Sequence, residues 1–246
     1  MVGIEAVTHC GAQRLARLAG CMFLLPAAVM ADGFTVDRIY QPYVQPYERE
    51  FEYRALYLND ADAAIDGTQV HRLSYGHALS DRWFVELYVI GANEPDDSLA
   101  LEGYEAEVKW QLTEQGEYFA DWGLLFELEY ARDPRAWEYS TTVLFEKELG
   151  RWSATVNASL AREWGSQIQN EWETEFAGQM RYRYRPVFEP NVALYSSENV
   201  KGIGPGAQGI RKFSGGRNLQ WQLNLVFGID GASPDQAILG VIEYEF

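Results

Sequence analysis

The last 29 residues, NLQWQLNLVFGIDGASPDQAILGVIEYEF, leave few folds open. From Leu219 to Ile229 every second residue is large and apolar, and Asn218, Gln220, Gln222 and Asn224 fill the other parity. A period of two is the mark of a β-strand with one greasy and one polar face. After the turn-rich Asp230–Asp235, the alternation resumes through Ile238, Gly240, Ile242 and Tyr244, and the chain stops on Phe246. The chain therefore ends on a hairpin.

The same pattern recurs upstream in segments of about ten residues, separated by turn signals. Strands are expected at about 48–58, 68–78, 83–90, 100–113, 118–130, 137–148, 152–164 and 171–184, with a ninth beginning near Asn191 and a tenth at about 206–213. The glycines between Gly202 and Gly216 blur the pattern there. With the final hairpin the count is twelve, and ten is the alternative because strands two, nine and ten are weak. An even count puts both barrel ends of the chain on one side of the wall. Shorter turns are expected on that side and longer, more acidic loops such as 59–67 and 91–99 on the other.

Residues 1–31 read as a signal peptide: Arg14 and Arg17, an apolar run from Leu18, then Val29-Met30-Ala31 before Asp32. Residues 32–47, with two prolines and no alternation, read as a periplasmic lead-in, with an inward-folded plug over 34–47 left open, and 48–246 as the barrel. Both cysteines, Cys10 and Cys21, fall inside the signal, which leaves no disulfide or thiolate chemistry to the exported chain. Removing Arg14, Arg17 and Glu5 from 20 basic and 36 acidic side chains leaves 18 against 35, a net charge of −17. Such a charge excludes nucleic acid as a partner.

Alternation alone allows a soluble barrel with the apolar face inward. Aromatics that bracket aliphatic strand centres favour lipid outside instead, with Trp110, Tyr118, Trp122, Tyr130, Trp137, Trp152, Trp164, Trp172, Tyr184 and Trp221 forming the membrane girdle. The opposite parity then lines a pore: Glu105, Glu107, Lys109, Asp121, Glu127, Glu129, Glu146, Glu148, Glu171, Glu173, Glu175, Arg181 and Arg183. Carboxylates this dense need water, counter-cations or protons.

The terminal Ile242-Glu243-Tyr244-Glu245-Phe246 and the strand pattern over nearly the whole exported chain resemble Gram-negative outer-membrane β-barrel proteins, in particular the small porin and transporter class that is mostly uncharacterised. The resemblance implies a closed antiparallel all-β barrel in the cell outer membrane, in contact with outer-membrane lipids and lipopolysaccharide. It also implies that Tyr244 and Phe246 form the signal read by the barrel-assembly machinery. Twelve strands is similar to the oligosaccharide-specific porins, whose lumens tend to be basic; this chain departs from that, so their substrate does not carry over.

The expected function is passive transport favouring small cations or cationic solutes, by a monomer with no cofactor or metal. The alternative is a non-conducting structural or ligand-binding barrel. A membrane-embedded lipid A or phospholipid esterase is remote, because Ser74 has the opposite parity to His71 and His77. Asp60, Asp62, Asp66 and Gly67 make an incomplete calcium loop, read as a solvated loop.

Overall fold

A computed structural model describes residues 36–93 and 98–246. The expected signal peptide, with both cysteines, lies outside the described residues. Twelve strands alternate in direction: β1 (Arg49–Asn59), β2 (Gln69–Ala78), β3 (Trp83–Asn93), β4 (Ala100–Gln111), β5 (Asp121–Ala131), β6 (Ala136–Leu149), β7 (Trp152–Gly165), β8 (Glu171–Tyr182), β9 (Glu189–Ser196), β10 (Lys201–Lys212), β11 (Asn218–Gly228) and β12 (Gln236–Glu245). Each pairs with its sequence neighbours, and β1 pairs with β12 from Glu50↔Glu245 to Asn59↔Gln236, so the sheet closes on itself. Closure removes the exposed edges that an open sheet would leave.

The ladder is weakest beside the glycine-rich strand. Pairing of β8 with β9 runs only from Phe176↔Ser196 to Arg181↔Asn191, so Glu171 to Glu175 are paired on the β7 side alone. Between β10 and β11 the register skips Gly204 and Pro205. A Cβ at Gly204 would lie 1.7 Å from the Leu225 carbonyl oxygen, so this position admits only glycine.

Register puts the outer aromatics into rows. At the far end from the termini, Tyr104, Tyr130, Trp137 and Trp164 stand opposite one another across β4 to β7. Towards the other end Trp83 stacks on Trp110 with centroids 4.8 Å apart, Trp122 meets Phe145, and Trp152 meets Tyr182. Between the rows the exposed face carries Leu87, Val89, Leu128, Val143, Leu160 and Phe176. An apolar band bounded by aromatic rings on both sides suits a bilayer and not water. Tyr118 and Tyr184 are exceptions: both fall in connections, after β4 and β8, and not on strands. Connection length separates the two ends poorly, because the long 60–68 loop at the far end is matched by 112–120 near the termini.

Residues 36–47 correct the lead-in reading. They enter the barrel, and Val36, Ile39, Tyr40 and Val44 of this strap seat on three apolar patches of wall. Val36 and Ile39 join Leu56, Leu58, Tyr195, Val226, Leu239 and Val241; Tyr40 joins Leu125 and Leu144; Val44 joins Ala78 and Phe84. These inward leucines and valines interrupt the polar parity because the strap needs an apolar seat. Burial of each aliphatic strap residue contributes roughly 1.5–3 kcal/mol.

Candidate functional site in the barrel interior

Antiparallel register converts the scattered glutamates of the sequence into continuous rows. Glu86, Glu107 and Glu127 are cross-strand partners on β3, β4 and β5. Towards the far end, Glu105, Glu129, Glu138, Glu163 and Glu171 follow one another across β4 to β8. Glu173 and Glu175 continue the acidic face down β8. From β9 to β11 the wall changes character: beyond Glu189 at one end, the inward positions include Asn191, Ala193 and Tyr195, then Gly202, Gly204, Gly206, Gln208 and Ile210, then Asn218, Gln220, Gln222, Asn224 and Val226.

The strap crosses between these walls and is held mainly by ions. The Arg54 guanidinium lies against Glu52 at 2.8 Å, pairs with Asp37, and donates to the hydroxyls of Tyr40 and Tyr88 at 2.9 and 3.0 Å. Arg38 bridges Glu52 and Glu243, the latter at 2.7 Å. Arg72 pairs with Glu105 and reaches Glu129 at 3.5 Å and Asp37 at 3.7 Å. Buried charges persist when each has such partners, and removal of one partner strands the rest.

Hydrogen bonds from backbone, amide and hydroxyl groups fix the strap's register. The Tyr40 backbone N–H donates to the Asn157 side-chain oxygen at 2.7 Å, and the Asn157 amide donates back to the Tyr40 carbonyl at 2.9 Å. The Tyr40 hydroxyl donates to Glu107 at 2.7 Å, the Tyr43 hydroxyl to Asp121 at 2.8 Å, and the Val44 N–H to Gln111 at 2.7 Å. Strap and wall are thus clasped along the whole crossing.

Two interior cavities flank the strap, and both touch Arg38 and Tyr40. The far cavity, about 180 Å³, is lined by Asp37 and by Glu105, Glu127, Glu129, Glu138, Glu163, Glu173 and Glu175, with Arg38 and Arg72 as its cations. The near cavity, about 220 Å³, has Gln41 and Gln45 of the strap, Gln179, Gln208, Gln220 and Gln222 of the wall, and paired charges including Arg38–Glu243 and Arg181–Glu189. Just outside β1, burial raises the Glu48 carboxyl to about 7; Lys109 pulls it down and Glu245 and Glu243 push it up. On the 229–235 loop, a hydrogen bond from Ser233, and then Lys201, hold Asp230 below the usual carboxylate range.

The residues expected to line a pore lie on the inward parity, in two groups. Glu105, Glu107, Glu127, Glu129, Glu171, Glu173 and Glu175 gather towards the far half, whereas Lys109, Asp121, Glu146 and Arg181 lie nearer the termini. Glu148 and Arg183 pair with each other at 2.8 Å on the near rim and do not reach the middle of the lumen. Arg54, Arg38 and Asp37 were not among the expected site residues. In the sequence Arg54 is the one base on a strand face it shares with Glu50 and Glu52, but nothing in the alternation points to the strap as its partner.

No hydrolytic constellation forms at the histidines. Ser74 is buried and donates to Glu86, while His71 stacks on Tyr53 at the outer surface with a 2.7 Å hydrogen bond. In the 60–68 loop, Asp60, Asp62 and Asp66 accept backbone N–H groups of their own loop, as a solvated turn does.

No family model matches the chain, and neither does any curated protein. Solved structures do match. The KdgM porin in complex with disordered oligogalacturonate aligns with a TM-score of 0.54 at 12% identity, over 80% of this chain and 99% of that one. An outer membrane channel from Pseudomonas putida F1 aligns at 0.55 and 13% identity, over 87% and 100% of the two chains. The fold is that of an outer-membrane β-barrel. The NanC porin aligns as well, at 0.51 and 10% identity, over 80% and 98%. At these identities the likeness is one of architecture, and the outer-membrane barrel's chemistry has to be argued from its own interior.

Proposed function

We propose that this barrel is an outer-membrane channel that favours cations or small cationic solutes and that its strap sets how far it opens. The observation that carries the reading is the far cavity, where seven glutamates and Asp37 face two arginines. A carboxylate wall around a narrow, partly desolvated space concentrates cations and repels anions. The strap supports the second half of the reading, because it occupies the lumen between the two cavities through contacts that can break one at a time.

A solute would meet the carboxylate rows first and the strap next. Passage then requires the clasp at Asn157 or the ion pairs of Arg38 to yield. Arg38 is committed to Glu52 and Glu243 and Arg72 to Glu105, which leaves an excess of glutamates to hold mobile cations. The test is flux from proteoliposomes holding the refolded exported chain: potassium efflux should outrun chloride efflux, and matched or chloride-dominated efflux would overturn the reading. If folded protein passes neither ion, the strap holds a closed barrel, which is the second reading that the buried ion pairs favour.

A further inference from the structure

The near cavity holds buried amides without partners. The Gln179 side chain is only 7% exposed, it lines the cavity, and its Nε2 has no hydrogen-bond partner. Gln222 Nε2 on the same cavity is likewise unsatisfied. Beside them, Asn191 is buried with neither side-chain polar atom bonded. A buried amide left unpaired costs about 1–3 kcal/mol, so the two that line the cavity, Gln179 and Gln222, are stable only if something entering it bonds them.

Register shows that the wall is built as one patch. Arg181 faces Asn191, Asn191 faces Gly206, Gly206 faces Asn224 and Gln208 faces Gln222. Gly206 gives the amides room, since a Cβ there would fall 2.2 Å from Asn224 Oδ1 and 2.7 Å from Asn191 Oδ1. Four of the charged groups that line the cavity pair within it, Arg38 with Glu243 and Arg181 with Glu189, and Glu48, Glu50 and Lys109 complete its charged lining. Because that lining carries both signs, the groups a single ligand can satisfy without an opposing charge are the neutral amides, which each donate and accept.

We propose that the near cavity is a binding site for an uncharged, hydroxyl-rich solute of about monosaccharide size. A hydroxyl both donates and accepts, and so do these amides, so each contact can be satisfied without burying a new charge. An anion would face Glu48, Glu50 and Glu243, and a cation would face Arg38, Lys109 and Arg181, which makes both poorer occupants. The proposal stands apart from cation selectivity, which belongs to the opposite half of the interior.

The test is saturation-transfer NMR on the refolded exported chain in detergent micelles, with methyl α-D-glucopyranoside as probe and glucuronate and glucosamine as charged controls. The neutral glycoside should receive saturation and the charged sugars much less. The Gln179→Leu/Gln222→Leu double variant, checked for folding by heat-modifiable gel mobility, should lose about tenfold in affinity, as expected when donor–acceptor contacts are deleted. Gln179→Glu keeps the shape of the side chain and should move the preference towards glucosamine, which guards against a misfolded double variant. No transfer to the glycoside, or equal transfer in wild type and both variants, would mean that the cavity holds water only and would overturn the proposal. The assay reads no current, so a failure of the cation-channel reading leaves it untouched.

Discussion

The two walls of this barrel obey the same alternation and use it differently. On β3 to β8 the inward positions carry carboxylates in cross-strand rows, and the outward positions carry aromatics and leucines. On β9 to β11 the inward positions carry amides and glycines, and the ladder is short and interrupted. One wall is dense in charge and regular in backbone; the other is neutral and tightly fitted. The difference teaches that a polar inward face is not one thing. Charge demands counter-ions and water, whereas amides and glycines allow close approach of backbone and solute.

The comparison can be broken first at the ion network. Arg54→Ala takes from Glu52 one of its two arginines and from Asp37 the nearer of its two, and should destabilise the folded barrel by about 3–5 kcal/mol, read as a lower urea midpoint with unchanged slope. Loss of less than about 1 kcal/mol would show that water already screens the network.

Steric fit distinguishes the walls next. Gly204→Ala forces a methyl into the Leu225 carbonyl and should cost at least about 1–3 kcal/mol, while Gly178→Ala on β8, where the nearest atom is 3.8 Å away, should be close to neutral in the same urea titration. Equal costs at the two sites would erase the structural contrast between the walls.

Asn157→Ala removes both backbone bonds that clasp Tyr40 and should loosen the strap by about 1–3 kcal/mol, seen as longer or larger openings in single-channel records. Unchanged openings would remove the strap from gating.

The smallest effect concerns pH at the near rim. The Glu48 carboxyl sits near 7 in the folded chain against an ordinary 4.5, so the folded state holds this proton more tightly than the unfolded state. Its contribution to stability is therefore present at acid pH and is lost as pH rises from about 4.5 through about 7. Glu48→Gln should flatten the pH–stability profile across that window; an unaltered slope would assign the slope to other groups.

Most of the barrel was legible because alternation is a local signal. The twelve strands, the even count, the sorting of connections to two ends and the inward glutamates all follow from a period of two, and the bounds differ by a few residues. β10 began five residues earlier than expected, at Lys201, because Gly202, Gly204 and Gly206 carry no side chain from which to read parity. The strap was not legible. Its two prolines and broken pattern describe an irregular segment equally well inside or outside a barrel, and its place depends on contacts such as Tyr40–Asn157 that span 117 residues of sequence. Inward Leu125 and Leu144 were the available clue, since apolar residues on a water-filled wall need a partner.

The most direct test of the central claim, that the carboxylate wall selects what passes, is the reversal potential of the refolded exported chain in a planar bilayer under a potassium chloride gradient. Wild type should reverse near the potassium equilibrium potential, and the Glu171→Gln/Glu173→Gln/Glu175→Gln variant should move towards zero. A wild-type reversal at zero or on the chloride side, or an identical value in the variant, would contradict it.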